Sequence, residues 1–267
     1  MDRLPVLPEI TPAMREQLRA AYAVGKMKGR NPRVLTKMGD CMTDNPHFLA
    51  PLGDGSYVLG EHSSIERVIA RFRGTPARRG SWDKDSFLTP SLAAGGGFNV
   101  ASPLDPTWAD PTWCQPEESP LTCELRVANP AFAIIMFGTN DVNTTPAASF
   151  DLYLRDVVSQ ALAAGVIPIL STFPPRPENP DKSKLLNQIV ASIAHDYQVP
   201  LVNFARALQD LPNHGVDPQD STHLTLPPHG HADIFTPESL RYGFNLRNLL
   251  TLQALDRVIA AVEEDEG

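Results

Sequence analysis

Ala131-Phe132-Ala133-Ile134-Ile135-Met136-Phe137-Gly138-Thr139-Asn140-Asp141 starts with seven apolar residues in a row and stops at a glycine. An apolar run of that length without alternation reads as a strand covered on both faces. The pattern downstream repeats it. Ser149 to Ala164 has helical spacing, with Leu154, Val157, Val158, Ala161 and Leu162 on one face, Ser149 placed to cap the start and Gly165 the end. Val166 to Ser171 is a second buried strand, Lys182 to Tyr197 a second helix, and Val199 to Phe204 a third strand. In the second helix Leu185, Leu186, Ile189, Val190, Ile193 and Ala194 share one side. Leu240 to Glu263 closes the chain as an amphipathic helix. Strands and helices alternating through short connections predict a parallel sheet with helices on both faces.

Upstream, Arg33 to Met38 is a short apolar run ending at Gly39-Asp40, a strand that stops at a turn. Leu4 to Pro12 reads as an extended leader, followed by a helix from about Pro12 to Val24 closed by Gly25. Ser64 to Phe72 has helical spacing. Residues 74–129, rich in Pro, Gly, Asp and Trp, read as an irregular insertion with a strand near Phe87 to Ala94 that runs into Gly95-Gly96-Gly97. The expected organisation is a leader and first helix over 1–30, then a single α/β domain over 31–267 carrying that insertion.

Composition narrows the partners. The chain has 267 residues, 42% of them hydrophobic, enough for a sizeable core, and a formal net charge of −8. That balance argues against nucleic-acid binding, which needs a basic face to displace counterions. The basic stretch Arg67 to Arg79 reads as a solvated, self-repelling surface. No apolar run reaches the roughly 18 residues of a membrane span. Among three cysteines, Cys114 and Cys123 bracket the Pro-rich loop Gln115 to Thr122. A disulfide is expected there, against two free thiols; zinc needs about four ligands and the loop offers two and no histidine. The disulfide implies an extracytoplasmic or secreted protein, although Met1-Asp2-Arg3-Leu4-Pro5 shows no leader. Cys41 is then the leftover thiol.

In parallel α/β sheets ligands bind beyond the carboxyl ends of the strands. Three polar clusters fall there: Gly39-Asp40-Cys41-Met42-Thr43, Gly138-Thr139-Asn140-Asp141 and, after the last strand, Asp220-Ser221-Thr222-His223. Cys41 is a candidate nucleophile at a strand-to-helix turn, helped by the positive end of the helix expected to follow. His223 is a candidate general base, and Asp220 can orient its ring. Asn140 offers an amide N–H to a developing oxyanion, with the backbone N–H groups of Cys41 and of the glycine run beside it.

These clusters resemble the blocks of the SGNH (GDSL-type) ester hydrolases, in the same order. Gly39-Asp40-Cys41-Met42-Thr43 is similar to the block Gly-Asp-Ser-x-Thr, Gly138 to Asp141 to Gly-x-Asn-Asp, and Asp220 to His223 to Asp-x-x-His. Gly95-Gly96-Gly97 stands where that family places its oxyanion glycine, and of the three Gly97 is expected to fill that role. The resemblance spans about residues 33–225. It implies a three-layer, flavodoxin-like α/β sandwich on a five-stranded parallel sheet, and hydrolysis of acyl esters, small or borne on a polymer, without a metal or cofactor. The departure is Cys41, which stands where the family has serine. A thiol hydrolase, an engineered Ser→Cys variant and a degenerate site remain open readings.

Plainer readings stand beside each residue. A lone cysteine after a strand is often a core residue. Asn140-Asp141 also fits a helix cap or turn, and His223 a satisfied surface histidine. His229-Gly230-His231 is a histidine cluster without a carboxylate or cysteine at a recognisable metal spacing. Trp82, Trp108 and Trp113 either line an acyl or sugar site or pack the insertion onto the domain. A papain-like protease has the order Cys, His, Asn, whereas here it is Cys, Asn, His. An acyl- or carbohydrate-binding module on the same scaffold is the alternative function.

Overall fold

The computed structural model describes residues 4–78, 80 and 84–263; Trp82, Arg79 and the acidic end beyond Glu263 lie outside them. Four strands, β1 (Asn31–Gly39), β2 (Pro130–Met136), β3 (Ile167–Ser171) and β4 (Leu201–Val202), form one parallel sheet in the order β1-β2-β3-β4. The register pairs Gly39 with Met136, Ile135 with Leu170 and Leu170 with Leu201, so the carboxyl ends align along one edge. The helices are α1 (Pro12–Met27), α2 (Ala50–Asp54), α3 (Glu66–Phe72), α4 (Pro120–Val127), α5 (Asp141–Thr144), α6 (Ala147–Ala163), α7 (Pro180–Asp196), α8 (Phe204–Ala207) and α9 (Gly243–Glu263). α6 and α7 pack together against β3, while α1 and α3 pack on α9. Between these layers the wholly buried rings of Phe72, Phe87 and Phe132 meet edge to face.

The expected five-stranded sheet is corrected to four strands. The segment Phe87 to Ala94 runs beside β1 but pairs with its backbone at one parallel bridge, Gly39 to Ala94. Its backbone is spoken for elsewhere. Asp85 Oδ1 accepts the N–H groups of Phe87 and Leu88, Glu124 accepts that of Leu92, and Ser91 Oγ accepts that of Ala93. Pro90 has no N–H to give. A strand whose donors are taken by side chains cannot build a ladder.

Other boundaries also move. β4 keeps only two residues of the expected Val199 to Phe204, because Asn203 caps α8 at once with its side chain. α1 continues through Gly25 to Met27, and Gly25 is used instead for close approach to the Gly165 carbonyl. α6 begins after Pro146, so Ser149 sits within its first turn and does not cap it.

The basic stretch is not a free solvated face. Arg67 pairs with Asp256, Arg71 with Glu263 and Arg78 with Glu124. The last of these pins the insertion to the sheet. Glu124 on α4 is buried and accepts from Arg78 at 2.9 Å and from Thr36 of β1 at 2.7 Å. A buried carboxylate is tolerable only when its oxygens are so occupied. Next to it Cys123 is joined to Cys114 in a disulfide, and Cys41 is the free thiol.

Candidate active site

The site begins where β1 ends. Gly39 is required there, because a Cβ would lie 2.3 Å from Thr43 Oγ1 and 2.4 Å from the Met136 carbonyl. Asp40, the next residue, is wholly buried. Its Oδ1 accepts the Met42 N–H at 3.0 Å and its Oδ2 the Thr139 N–H at 3.3 Å. One carboxylate thus holds the turn after β1 to the turn after β2. Burial raises its pKa, and the N–H groups of Met42 and Thr139 and the charge of Arg247 work the other way.

Arg247 comes from α9 and was not anticipated from the sequence. It is 3% exposed, with Nη1 donating to the Met42 carbonyl at 2.6 Å and Nη2 to Thr43 Oγ1 at 2.9 Å. Its guanidinium stacks 3.7 Å from the centre of the Phe48 ring. Burial lowers its pKa to about 9, against the opposing pull of Asp40 and Cys41. The signal was present in the sequence: Asn245, Arg247, Asn248 and Thr251 are polar residues on the buried face of α9.

Between Asp40 and Met42 sits Cys41, half-buried. No helix follows it at once; residues 41–43 form a turn and α2 begins at Ala50. The expected helix N-terminus is therefore absent at the sulfur. Burial, with the Asp40 carboxylate beside it, pushes the thiol up to about 11, despite the Met42 and Cys41 N–H groups. The resting group is a neutral thiol, and Sγ donates to the Thr222 carbonyl at 3.6 Å.

That contact brings in the third cluster. His223 Nδ1 lies 2.7 Å from Asp220 Oδ2, and Asp220 Oδ1 accepts from the backbone N–H and hydroxyl of Thr222. These bonds from Thr222, and then from His223, hold the Asp220 carboxyl down to about 2. The Asp220 and His223 side chains are 50% and 38% exposed. Their loop is anchored behind by a bridge between Val216 and Leu224, and by Thr225, which receives the Gly243 N–H at the start of α9.

Asn140 precedes α5 without capping it. Its Nδ2 donates instead to the Phe98 carbonyl at 2.8 Å, which leaves the second amide N–H. Gly138 before it has φ +136°, and a Cβ there would meet the Phe173 ring at 2.1 Å. Asp141 Oδ1 accepts from Val100 N and Thr145 Oγ1, Oδ2 is buried without a partner, and burial raises its pKa to about 6.

The glycine run divides by its hydrogen bonds. Gly95 N donates to the Gly39 carbonyl at 3.2 Å. The Gly96 N–H faces the Asp44 carboxyl, which burial raises and this N–H lowers. Gly97, at φ +83°, keeps an N–H with no partner among the described residues.

Possible metal ligands are sparse. Cys114, Glu118 and Cys123 form the one close group of three among the described residues, and both sulfurs are spent in the disulfide. His229 and His231 lie 5.5 Å apart ring to ring, with His231 Nδ1 3.7 Å from Asp233 Oδ1. No helix among the described residues is long and apolar enough to cross a membrane.

Comparison with known proteins bears on this arrangement. Among curated proteins none matches the sequence. A lipase/acylhydrolase from Enterococcus faecalis is similar in structure, with TM-score 0.52 and 17% identity, over 84% of this chain and 95% of that one. The psychrotrophic esterase EstA from Pseudoalteromonas sp. gives TM-score 0.52 and 15% identity, over 85% and 98%. TesA gives 0.53 and 14%, over 84% and 99%. At such identities the likeness speaks to the α/β sandwich fold alone. The sequence itself matches the GDSL-like lipase/acylhydrolase family over residues 91–232, which takes in the glycine run, Asn140, Asp220 and His223 but begins after Cys41. With just over half of its length matched, the chain belongs to the GDSL-like lipase/acylhydrolase family.

Proposed function

We propose that this protein hydrolyses carboxylic esters with Cys41 as nucleophile, His223 as general base and Asp220 orienting the imidazole. The observation that carries the reading is the convergence of three segments distant in sequence. Asp40 ties the Cys41 turn to the Asn140 turn, and Cys41 Sγ touches the carbonyl of the residue before His223. The Asp220–His223 hydrogen bond places the Nδ1 proton toward the carboxylate, which leaves Nε2 as the basic nitrogen.

The thiol leaves the Thr222 carbonyl by rotation about χ1. His223 Nε2 takes its proton as sulfur attacks the acyl carbon. The oxyanion forms against the Cys41 N–H, the free Gly97 N–H and the second N–H of Asn140. Collapse expels the alcohol, which receives the proton from the imidazolium, and leaves a thioester on Cys41. Water, activated by the same base, then releases the acid.

A thiol near pKa 11 has no thiolate advantage at neutral pH. Cys41 needs base assistance as a serine would, while its longer C–S bonds shift the oxyanion away from donors suited to oxygen. Cys41→Ser is therefore expected to be at least as active as the parent. The test is kcat/KM on acetyl and butyryl p-nitrophenyl esters for the parent, Cys41→Ser and Cys41→Ala. Cys41→Ala should be inactive. An inactive Cys41→Ser beside an iodoacetamide-sensitive parent would show a site adapted to sulfur.

A second reading, a catalytically impaired scaffold that binds acyl groups or carbohydrate, draws on the same neutral thiol held to Thr222. Inactivity of both parent and Cys41→Ser would select it. The Cys114–Cys123 disulfide supports an extracytoplasmic site of action.

A further inference from the structure

We propose that Trp108, seated against the buried Phe98 ring, is a platform for the sugar ring of a carbohydrate-borne ester, beside the acyl site; this rests on the ester-hydrolase reading above. The two described tryptophans of the insertion are used differently. Trp113 packs under the Arg78 guanidinium, 4.9 Å from its ring centre, and so joins the insertion to the buried Glu124. Trp108 is 50% exposed, although an indole ordinarily buries most of its area. Among the described residues its one ring partner is Phe98, edge to face at 5.3 Å.

That partner is part of the site. Phe98 follows Gly97, and its carbonyl receives the Asn140 side-chain amide. Two residues on, Val100 N donates to Asp141. The segment carrying the platform is thereby fixed to the turn that carries the oxyanion donors. Trp108 is itself held in a short 3-10 turn, Pro106–Trp108, with Asp105 accepting from the Thr107 and Trp108 N–H groups. An aromatic face held in place before binding loses little entropy when a flat ligand stacks on it.

The rim identifies the ligand. Asp105 and Asp110, which precede and follow Trp108 in the chain, are exposed as it is. Backbone N–H groups, of Thr107 and Thr112 respectively, hold both carboxyls below the usual range, so they stay ionised. Each also accepts from the side chain of the same threonine, and, being exposed, has further lone pairs open to a ligand hydroxyl. An apolar face rimmed by acceptors matches a neutral pyranose, which is apolar on its C–H face and hydroxylated at its edge. An alkyl chain would use the first feature and leave the second solvated.

The experiment compares acetate release from 6-O-acetylglucose and from ethyl acetate, which share an acyl group and differ in the alcohol. In Trp108→Ala the ratio of kcat/KM on the sugar ester to that on ethyl acetate should fall about tenfold, mainly through KM, the scale of one lost aromatic contact. Trp108→Phe should restore most of the ratio. An unchanged ratio in Trp108→Ala overturns the platform while leaving the hydrolase reading intact. If the parent hydrolyses neither ester, the hydrolase reading fails, and the platform is judged by binding of 6-O-acetylglucose to Cys41→Ala by calorimetry. Binding that is weakened in Cys41→Ala/Trp108→Ala supports it; no binding, or equal binding in both, overturns it.

Discussion

The turn that carries Cys41 and the loop that carries His223 meet at one carbonyl, yet they are held by opposite means. On the Cys41 side Asp40 is wholly buried and Arg247 nearly so, and their bonds go to backbone groups of the turn. On the His223 side the Asp220 carboxylate and the imidazole are largely exposed, and their bonds are local, to residues two and three positions away. A buried charge that loses its compensation is costly, whereas an exposed ion pair contributes little to stability. The half that would fix the oxyanion donors in the proposed reaction is therefore tied into the core. The half that would accept and return a proton is an exposed loop held by local bonds.

The largest effect expected from this contrast is on the buried side. Arg247→Met should destabilise the fold by about 2–4 kcal/mol, since it leaves the buried Met42 carbonyl and Thr43 hydroxyl without their donor and removes a charge that offsets Asp40. Denaturant unfolding measures it, and a loss under about 1 kcal/mol would break the comparison.

On the exposed side His223→Ala should cut kcat/KM by about 10²–10⁴-fold, with the unfolding midpoint nearly unmoved. A stability loss comparable to that of Arg247→Met would show the loop to be part of the core after all.

A smaller and sharper effect lies in the thiol's titration. Iodoacetamide should label one cysteine in the unreduced protein, with a rate that climbs with pH toward about 11, beyond the ordinary cysteine value of about 8.5. The folded state holds this proton above the unfolded pKa. The associated stability is thus complete below that ordinary value and lost as pH rises toward about 11. A labelling midpoint at or below the ordinary value would mean a thiolate-stabilising site and remove the argument for Cys41→Ser.

The smallest effect is on Asp220. Its carboxyl is held down to about 2, so its contribution to stability is present above the usual carboxylate pKa and fades as pH falls to about 2. Exposure screens the pair, and Asp220→Asn should change stability by less than about 0.5 kcal/mol at neutral pH. Activity should fall nonetheless, through the imidazole's orientation.

The layered fold was readable in the apolar runs because a strand buried on both faces leaves no choice of residue type: Ala131 to Phe137 could be little else. Where the chain departs from its pattern, the reason is competition for backbone donors. Phe87 to Ala94 looked like a strand by composition, but Asp85, Ser91 and Glu124 took the N–H groups that a fifth ladder needed. Gly25 looked like a helix end and serves as a contact with Gly165. Both outcomes depend on side chains or neighbours that no local pattern contains.

The sequence by itself determined which chemical groups are available. Cys41, Asn140 and the Asp220–His223 pair each follow a strand, and local bonding within three residues is enough to join Asp220 to His223. Tertiary structure alone decided how those groups are charged and which donors remain free. The Cys41 thiol holds its proton up to about 11 because folding buries it beside Asp40. Among the described residues Gly97 is the glycine of the run with an unspent N–H, since Gly39 takes that of Gly95 and Asp44 faces that of Gly96. Arg247 reaches the Cys41 turn from more than 200 residues away. Protonation states and free donors are set by which groups exclude water from one another, and that is a property of packing.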